Sequence, residues 1–583
     1  MEPSSRWRRW LPPAWVTLLS LAIMAPTLWP GFILTYDMVF TPRQSLLPDS
    51  LGLGSSLPRA VPQDAVVALV EVVVPGELLQ KAILLAIPLL AGFGMLRLLR
   101  DAPLPARIVA STLAVWNPYV AERLVIGHWG LLLAYALAPW ALAVALEMRR
   151  GRPGSPVSLV LLIAAGSLTP SGSILLLVLT LPIAVLPGSA ARVRTKALTC
   201  VSGLACALPW LLPAVLNPAL TNVDAGGARV FALRDEGMGV ALTAMGLGGI
   251  WNADVVLPSR AWPLATAVAV ALFLLGTVGV RPLARHVGRA AVIWWIAVAI
   301  VGLAAALASS VAPSAWGAVL DVVPGAGIVR DAQKLLAPLA LLVAAAAGMG
   351  VARLLIRVRD AAVRGALLAL VVIIPIAALP DLAWGASGRL QAVAYPSAWS
   401  EVRDTLATDP RPGDVAVLPW SAFRQFPWNS HRTLLDPAPR WLTRATVVAD
   451  ALTVSTPEGL VTISGEDPRA RAVGNALQQG QSLAPVLAAE GIGWVLVELG
   501  QRPAVPPAAL GGLIPVRDGP DLALYAVPGT VVDTPLPAYA TAVILVDALV
   551  AALLVVLALT GLRRAVRARR SKERGGTGEP LVR

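Results

Sequence analysis

Residues 330–364 read RDAQKLLAPLALLVAAAAGMGVARLLIRVRDAAVR. A short charged segment opens this stretch, an apolar run of about 20 residues follows, and a group of arginines closes it. Lys and Arg are enriched on the cytoplasmic side of membrane proteins. The stretch therefore predicts a helix that enters the membrane from the outer face and ends in the cytoplasm.

The same alternation runs along the whole chain, because Arg-rich breaks between apolar runs alternate with breaks that hold acids, Trp, His and Pro. The chain is 57% hydrophobic and 14% charged over 583 residues, whereas soluble domains carry about 25% charged residues. These features predict an α-helical multi-pass protein of the plasma membrane with about twelve transmembrane helices and both termini in the cytoplasm. The net charge of +13 sits mostly in the short inner breaks, so no nucleic-acid partner is predicted.

The sequence predicts four regions. They are a transmembrane domain over 1–383 with about eleven helices and a first outer loop over 35–80, an extracytoplasmic α/β domain over 384–536, a last transmembrane helix over 537–562, and a basic cytoplasmic tail over 563–583 that contacts membrane lipids. Within 384–536 the apolar runs shorten to strand length. They predict strands over Asp414–Pro419 and Gly493–Glu498, a helix over Ala472–Glu490 and a hairpin over Leu513–Val527.

Asp37 is the first candidate catalytic residue. It lies in the segment Thr35-Tyr36-Asp37-Met38-Val39-Phe40, directly after the first apolar run. A carboxylate this close to the hydrocarbon boundary is costly unless it is paired, solvated or functional. Desolvation would raise its pKa toward that of a general base. The alternative is an ordinary acid at the end of a helix.

The outer break Asn117–Trp129 contains Glu122, Arg123, His128 and Trp129. These residue types suit binding of a sugar or phosphate, because aromatic rings stack on sugars and Arg binds phosphate oxygens in a bidentate manner. The alternative is an aromatic belt at the membrane interface with a structural Glu122–Arg123 pair.

The segment Arg330-Asp331-Ala332-Gln333-Lys334 places two cations on the outer side. If the helix begins at Asp331, its positive dipole end faces outward, and Arg330 and Lys334 lie one turn apart. This arrangement suits a phosphate at the level of the headgroups. The alternative is cations that reach the interface from an ordinary helix end.

Taken together, the chain resembles the GT-C superfamily of membrane glycosyltransferases. The resemblance rests on the acid after the first span, the Arg-Asp-x-x-Lys element before a late span, and the Asn-Pro-Tyr…Gly-His-Trp break. It covers about residues 1–383 and is closest to the membrane region of the actinobacterial arabinofuranosyltransferases of the D type.

The resemblance implies transfer of a sugar from a polyprenyl-phosphate donor to a cell-envelope glycan or glycolipid on the outer face. Asp37 would be the catalytic base or a metal ligand. Donor phosphate binding would fall to Arg330 and Lys334, with Arg43 and Arg123 in reserve, and acceptor or sugar binding to Glu122, His128, Trp129 and Asp331. Because Met38 and Val39 stand where the family has a second acid, a divalent cofactor, Mg²⁺ or Mn²⁺, is left open.

Two other functions remain as alternatives. A transporter or flippase of lipid-linked glycans would carry its ionisable groups near the middle of the membrane, whereas the charges here cluster at the outer interface. A non-catalytic scaffold of envelope synthesis would tolerate Asp37→Asn.

Overall fold

The structure is a computed structural model that describes residues 6–56, 58, 60–217, 227–322, 325–456, 459–532 and 534–575. Residues 576–583 of the predicted cytoplasmic tail lie outside the described residues. The chain is mostly helical, and its described helices include seven that are long and apolar enough to cross a membrane. They are Arg9–Leu28, Gly76–Leu98, Trp129–Arg149, Pro263–Val287, Arg289–Val311, Ala332–Leu355 and Ala540–Arg567.

Two bent helix pairs raise this count to nine if each pair is one span. They are Val193–Ala205 with Leu208–Leu216, bent by 54°, and Ala361–Ala377 with Pro380–Gly388, bent by 69°. The predicted number of about twelve is not confirmed among the described residues. Other apolar runs fold as the helices Leu104–Val115, Ser155–Gly166 and Pro170–Val185. A helix of 12 residues is roughly 18 Å long, too short for a hydrocarbon core of about 30 Å.

The helices Trp129–Arg149 and Ala332–Leu355 form the centre of the membrane region, since 83% and 94% of their apolar windows are buried. Small residues allow close approach of their neighbours. A Cβ atom on Gly350 would lie 2.1 Å from the carbonyl oxygen of Leu275, and one on Gly348 would lie 2.5 Å from that of Ala106. Both central helices begin directly after candidate site residues, His128 and Asp331.

The segment predicted as the first outer loop, 35–80, contains the short helix Gln63–Val70 and the first turn of the helix Gly76–Leu98. The helix Gln63–Val70 is eight residues long and too short to span a membrane.

The strands, in chain order, are β1 (Phe32–Ile33), β2 (Ala392–Val393), β3 (Asp414–Leu418), β4 (Phe423–Arg424), β5 (Leu434–Leu435), β6 (Thr446–Val447), β7 (Leu452–Thr456), β8 (Gly459–Ile463), β9 (Ile492–Glu498), β10 (Ile514–Arg517) and β11 (Leu522–Ala526). Five of them form a sheet in the order β10-β11-β9-β3-β6. In this sheet β3 runs parallel to β6 and β9, and β11 runs antiparallel to β9 and β10.

The predicted strands over Asp414–Pro419 and Gly493–Glu498 are confirmed as β3 and β9, and the predicted hairpin is β10–β11. Both strands lie almost wholly buried, which explains their continuous apolar sequence. The single helix predicted over Ala472–Glu490 was wrong, because two helices, Pro468–Gln478 and Ala484–Ala489, occupy it. Gly480 separates them with φ +67°. The domain boundaries at 384 and 536 stay predictions.

Backbone pairing joins the C-terminal region, residues 384–536, to residues 32–36 near the start of the chain. β1 pairs antiparallel with β2. Farther along, Tyr36 forms a bridge with Leu434 of β5. The residue before Asp37 is therefore held by a strand about 400 residues away in sequence.

Candidate functional site

Asp37 lies in a tight turn within 35–38, between the first long helix and the helix Gln63–Val70. The backbone amide of Met38 donates to the carbonyl oxygen of Thr35 over 2.8 Å, and that of Asp37 donates to the carbonyl oxygen of Ile126 over 3.1 Å. Tyr36 adopts φ +40°, a conformation that non-glycine residues rarely adopt. The side chain of Asp37 is 45% exposed, so the carboxylate is reachable from outside.

Gly127 permits this close approach. It adopts φ +86°, and a Cβ atom there would lie 2.3 Å from the amide nitrogen of Met38 and 2.8 Å from the carbonyl oxygen of Thr35. Both the conformation and the lack of space require glycine. The Gly-His-Trp segment thus brings the Asp37 turn against His128.

His128 connects Asp37 to the buried interior. Its Nε2 lies 2.9 Å from Oδ2 of Asp37, and its Nδ1 lies 2.9 Å from Nη1 of Arg123. Because a guanidinium can only donate, Nδ1 must accept and Nε2–H must donate to Asp37. Burial, with the charges of Lys334 and Arg123, lowers the pKa of His128 to about 4. The imidazole is therefore neutral at pH 7 in one defined tautomer.

The pKa of Asp37 lies below its ordinary value. Burial alone would raise it, but the hydrogen bond from His128 and the charges of Lys334 and Arg440 outweigh that effect. The sequence-based expectation of a raised pKa was therefore wrong, because it considered desolvation without the cations that the fold brings to this point. Asp37 is an ionised carboxylate at neutral pH.

Arg123 was predicted to bind a donor phosphate, but the structure buries it completely. Its Nη1 donates to Oδ2 of Asp331 over 2.6 Å, and its Nη2 donates to Oδ1 of Asp331 over 2.9 Å. Nη2 also donates to Oε1 of Gln333. Nη1 and Nη2, which would bind a phosphate, therefore donate to groups of the protein itself. Arg123 holds His128 and Asp331 in place.

Two further residues predicted to bind acceptor or sugar are also buried. The side chain of Asp331 is 5% exposed and is engaged by Arg123, and that of Trp129 packs against Phe40 with ring centroids 5.3 Å apart. Neither offers a free surface to a sugar. Of the residues predicted for this role, His128 stands next to the exposed carboxylate of Asp37.

Glu122, the remaining predicted sugar ligand, is fully buried. Its Oε2 accepts from the backbone amide of Ile250 over 3.1 Å and from Nε2 of Gln333 over 3.2 Å. Burial and the adjacent carboxylate of Glu236 raise the pKa of Glu122 well above its ordinary value. Glu122 therefore joins the helix Pro118–Val125 to the segment that carries Ile250.

Glu236 forms an ion pair with Arg260. Nε of Arg260 donates to its Oε2 over 2.7 Å, and both side chains are at most 4% exposed. Glu236 thus pairs with Arg260 rather than with its sequence neighbour Arg234. In the same loop, the backbone amide of Ile250 donates to Glu122, which ties the loop 234–260 to the helix Pro118–Val125.

The cations predicted to bind phosphate lie in different surroundings. Nζ of Lys334 is 3.8 Å from Oδ2 of Asp331, and its side chain is 25% exposed. Arg330 stacks over the ring of Phe231 at 4.4 Å. The segment Ala332–Leu336 is a 3₁₀ turn rather than the start of an α-helix, so the predicted i,i+4 relation between the two cations does not apply.

Arg43 lies on another part of the first outer segment. Its side chain is exposed, and its backbone carbonyl accepts a hydrogen bond from Arg403. Among the contacts that the structure describes, none joins its side chain to Asp37 or Lys334.

Three further residues complete the site. Arg440 lies in a stretch of the C-terminal region rich in aromatic and basic residues, which the sequence connects with carbohydrate binding. It forms a 3.0 Å ion pair with Asp64 and acts on Asp37 through its charge. Gln333 and Gly127 lie inside motifs that the sequence identified, although neither was a candidate by itself. Their amide and missing Cβ matter only because of contacts that the fold creates.

The surroundings of Asp37 do not fit a divalent cation. The structure's described residues contain no group of three or more His, Cys, Asp or Glu side chains placed to hold a metal. The charged groups that act on Asp37 include Lys334 and Arg440, whereas Mg²⁺ and Mn²⁺ prefer several oxygen ligands. The chemistry of this site is therefore derived from its own side chains, with no step through a metal.

Neither a protein-family model nor a curated protein matches this chain. Among solved structures, it is similar to the arabinofuranosyltransferase AftD from Mycobacteria, at 18% sequence identity and a TM-score of 0.49, over 91% of this chain and 42% of that one. It is also similar to the oligosaccharyltransferase AglB from Archaeoglobus fulgidus in complex with an inhibitory peptide and a dolichol-phosphate, at 12% identity and a TM-score of 0.39, over 84% of this chain and 65% of that one.

The apo form of the Archaeoglobus fulgidus oligosaccharyltransferase gives a TM-score of 0.37 at 12% identity, over 84% of this chain and 65% of that one. The chain spans less than two thirds of the length of each of these proteins.

Gly127→Ala should destabilise the protein more than Gly154→Ala. Gly154 adopts φ +89° and has no atom within 4 Å of the position that a Cβ would take, whereas Gly127 faces the backbone of Met38. Both variants lose about 1–2 kcal/mol from the left-handed conformation, and overpacking costs Gly127→Ala a further 1–3 kcal/mol, roughly. Thermal unfolding in detergent micelles measures the difference. Equal melting temperatures would contradict the close approach.

Glu122→Gln should leave stability within about 1 kcal/mol of the parent, because the amide oxygen can still accept from Ile250 and Gln333 and burial already disfavours the charged carboxylate. Glu122→Leu should lower it by about 1–3 kcal/mol, since Ile250 and Gln333 lose their acceptor. Thermal unfolding of both variants is the measurement. Damage by the glutamine that equals damage by the leucine would show that Glu122 is ionised in the folded protein.

His128→Gln should make stability less sensitive to acid. The pKa of His128 is about 4 in the folded protein against 6.5 for an ordinary histidine. The stabilisation linked to its neutral form is therefore present above pH 6.5 and lost as the pH falls toward 4, by up to about 3 kcal/mol. Melting temperatures at pH 7 and pH 5 measure this. His286→Gln is the control, and a parent and His128→Gln variant with identical pH dependence would refute the assignment.

Proposed function

We propose that this protein is a membrane glycosyltransferase that moves a sugar from a polyprenyl-phosphate donor to a cell-envelope glycan or glycolipid. In this proposal the reaction takes place on the outer face of the plasma membrane, with 384–536 outside and both termini in the cytoplasm. The observation that carries the proposal is the exposed, ionised carboxylate of Asp37, oriented by a neutral histidine and placed near Lys334.

Asp37 has the properties required of a general base. Its Oδ2 is fixed by Nε2–H of His128, and the side chain remains 45% exposed. In the proposed reaction Asp37 accepts the proton of an acceptor hydroxyl as that oxygen bonds to the anomeric carbon of the donor sugar. The bond between this carbon and the phosphate oxygen breaks, and polyprenyl phosphate leaves with the electron pair.

Lys334 would neutralise the departing phosphate. It is partly exposed at the start of a central helix and only loosely paired with Asp331, at 3.8 Å. Arg330 is the second cation of this segment and keeps the role predicted for it. Charge stabilisation of a leaving group by fixed cations is commonly a large part of catalysis.

An apolar cleft supports the lipid part of the proposal. It is open to solvent and lies between the helices Leu104–Val115, Pro263–Val287, Ala332–Leu355 and Ala361–Ala377, with Arg260 and Asn117 among its lining residues. An isoprenoid chain is the occupant we propose, because most of the lining side chains are aliphatic and the helices Pro263–Val287 and Ala332–Leu355 are long enough to cross a membrane. Arg260 also binds Glu236, so the cleft borders the ionic network of the site.

The central test uses purified full-length protein in lipid nanodiscs with labelled polyprenyl-phosphate sugars and envelope acceptors. Asp37→Asn should lower kcat by roughly 10²–10⁴, the usual contribution of a general base. Lys334→Met should mainly raise the KM for the donor. Product formation is followed by chromatography of the labelled glycan.

The matched control is Asp101→Asn, which removes an exposed carboxylate from a predicted inner break. Its rate should equal that of the parent. Melting temperatures of all variants establish that they are folded. Full activity of Asp37→Asn would remove this residue from the mechanism, whereas a parent protein that transfers no sugar would favour a scaffold or transporter.

A further inference from the structure

Tyr36, the neighbour of Asp37, lies in a polar cluster to which the proposed mechanism gives no role. Its hydroxyl oxygen is 3.5 Å from Oδ2 of Asp254, and the side chains of Asn252 and Thr433 also approach it. Asp254 is exposed, and Tyr36, Asn252 and Thr433 are half-buried. Hydroxyl, amide and carboxylate groups thus converge beside the proposed base.

Aromatic and amide surfaces extend this cluster. The rings of Tyr36 and Phe423 meet edge to face with centroids 6.4 Å apart. Nε2 of the exposed Gln425 donates to Oγ1 of Thr433 over 3.0 Å. We call these six residues the Tyr36 rim: Tyr36, Asn252, Asp254, Phe423, Gln425 and Thr433.

The Tyr36 rim is held by backbone contacts from three separate segments. The amide of Tyr36 donates to the carbonyl of Thr433 over 2.7 Å, and the amide of Leu435 donates to the carbonyl of Tyr36 over 2.8 Å. Nη1 of Arg389 donates to the backbone carbonyl of Asp254 over 3.0 Å. The polar groups are therefore fixed in advance, which reduces the entropy lost when a ligand binds.

We infer that the Tyr36 rim is the subsite that holds the acceptor, and that the acceptor is an uncharged, hydroxyl-rich glycan. That the bound glycan is the acceptor rests on the proposed function. That a glycan binds here at all rests only on the residues of the rim. The carboxylate of Asp254 can accept from two sugar hydroxyls, and charge-assisted hydrogen bonds are the stronger kind. The faces of Tyr36 and Phe423 offer the flat surfaces on which sugar rings pack.

The position of the rim explains how acceptor binding would serve catalysis. Tyr36 and Asp37 are consecutive residues, and consecutive Cα atoms are about 3.8 Å apart. A glycan long enough to cover both residues would therefore bring one of its hydroxyls to the base. An anionic group held beside Asp254 would be repelled by that exposed carboxylate and bind less well.

The first test measures binding without turnover. The full chain carrying Asp37→Asn is prepared in detergent micelles, and saturation-transfer NMR is recorded with neutral pentose and hexose oligosaccharides and with oligogalacturonate. A neutral probe should bind more tightly than oligogalacturonate. Adding Asp254→Asn should weaken that binding on the order of tenfold, and Tyr36→Phe several-fold.

Asp518→Asn is the matched control, because Asp518 is an exposed acid in the turn between β10 and β11. It should leave binding unchanged. With Asp37 intact, Asp254→Asn should raise the KM for the acceptor and leave kcat and the KM for the donor near the parent values. A merely structural role would lower kcat and the melting temperature instead.

Unchanged glycan binding and unchanged acceptor KM in Asp254→Asn would overturn the inference, even if sugar transfer is found. Tighter binding of oligogalacturonate than of every neutral probe would also overturn it. If no donor supports transfer but the rim variants still lose glycan binding, the proposed function fails and the glycan site stands. The two claims are therefore tested separately.

Discussion

The candidate site depends on one buried ion pair, between Arg123 and Asp331. Its two hydrogen bonds, 2.6 and 2.9 Å long, join the short helix Pro118–Val125 to the start of a central membrane helix. Breaking such a pair from one side typically costs about 3–5 kcal/mol, because the remaining charge is left buried. The same guanidinium donates to His128 and thereby sets the imidazole tautomer. The orientation of Asp37 is thus decided by a contact that is buried inside the protein.

The second constraint comes from the far end of the chain. The turn that carries Asp37 is held on one side by Ile126 and Gly127 and on the other by Thr433 and Leu435. Arg440 adds a charge from the same C-terminal region. His128 and Lys334 lie at the starts of the two central helices. The backbone of the C-terminal region, in contrast, holds the turn that carries Asp37. Both regions must therefore be folded before the site forms. The buried Arg424–Asp436 and Arg424–Glu498 ion pairs hold the hairpin of β4 and β5, and Leu434 of this hairpin forms a bridge with Tyr36.

The sequence allowed the class of fold, the strands β3 and β9 and the candidate base to be predicted, because these follow from local patterns of apolar and charged residues. It did not separate exposed from buried members of the Asn117–Trp129 break. Arg123, Glu122 and Trp129 are residue types that bind sugars and phosphates, yet here they are buried and contact Asp331, Ile250 and Phe40. Burial is decided by segments such as 234–260 and 331–333, which are distant in sequence. The predicted number of about twelve spans is not confirmed for a related reason, since a hydropathy pattern does not show where a helix breaks.

The lowered pKa of Asp37 raises a question, since a carboxylate held ionised by cations is a weak base. The cations that lower its pKa include Lys334, which is also the proposed partner of the donor phosphate. A phosphate bound to Lys334 would offset that positive charge and add negative charge near Asp37, and both effects raise the pKa of a carboxylate. Asp37 would then become a stronger base only while donor is bound. Such a coupling would keep Asp37 from activating water in the absence of donor. It requires no movement of the protein, because Lys334 alone interacts with both Asp37 and the donor phosphate.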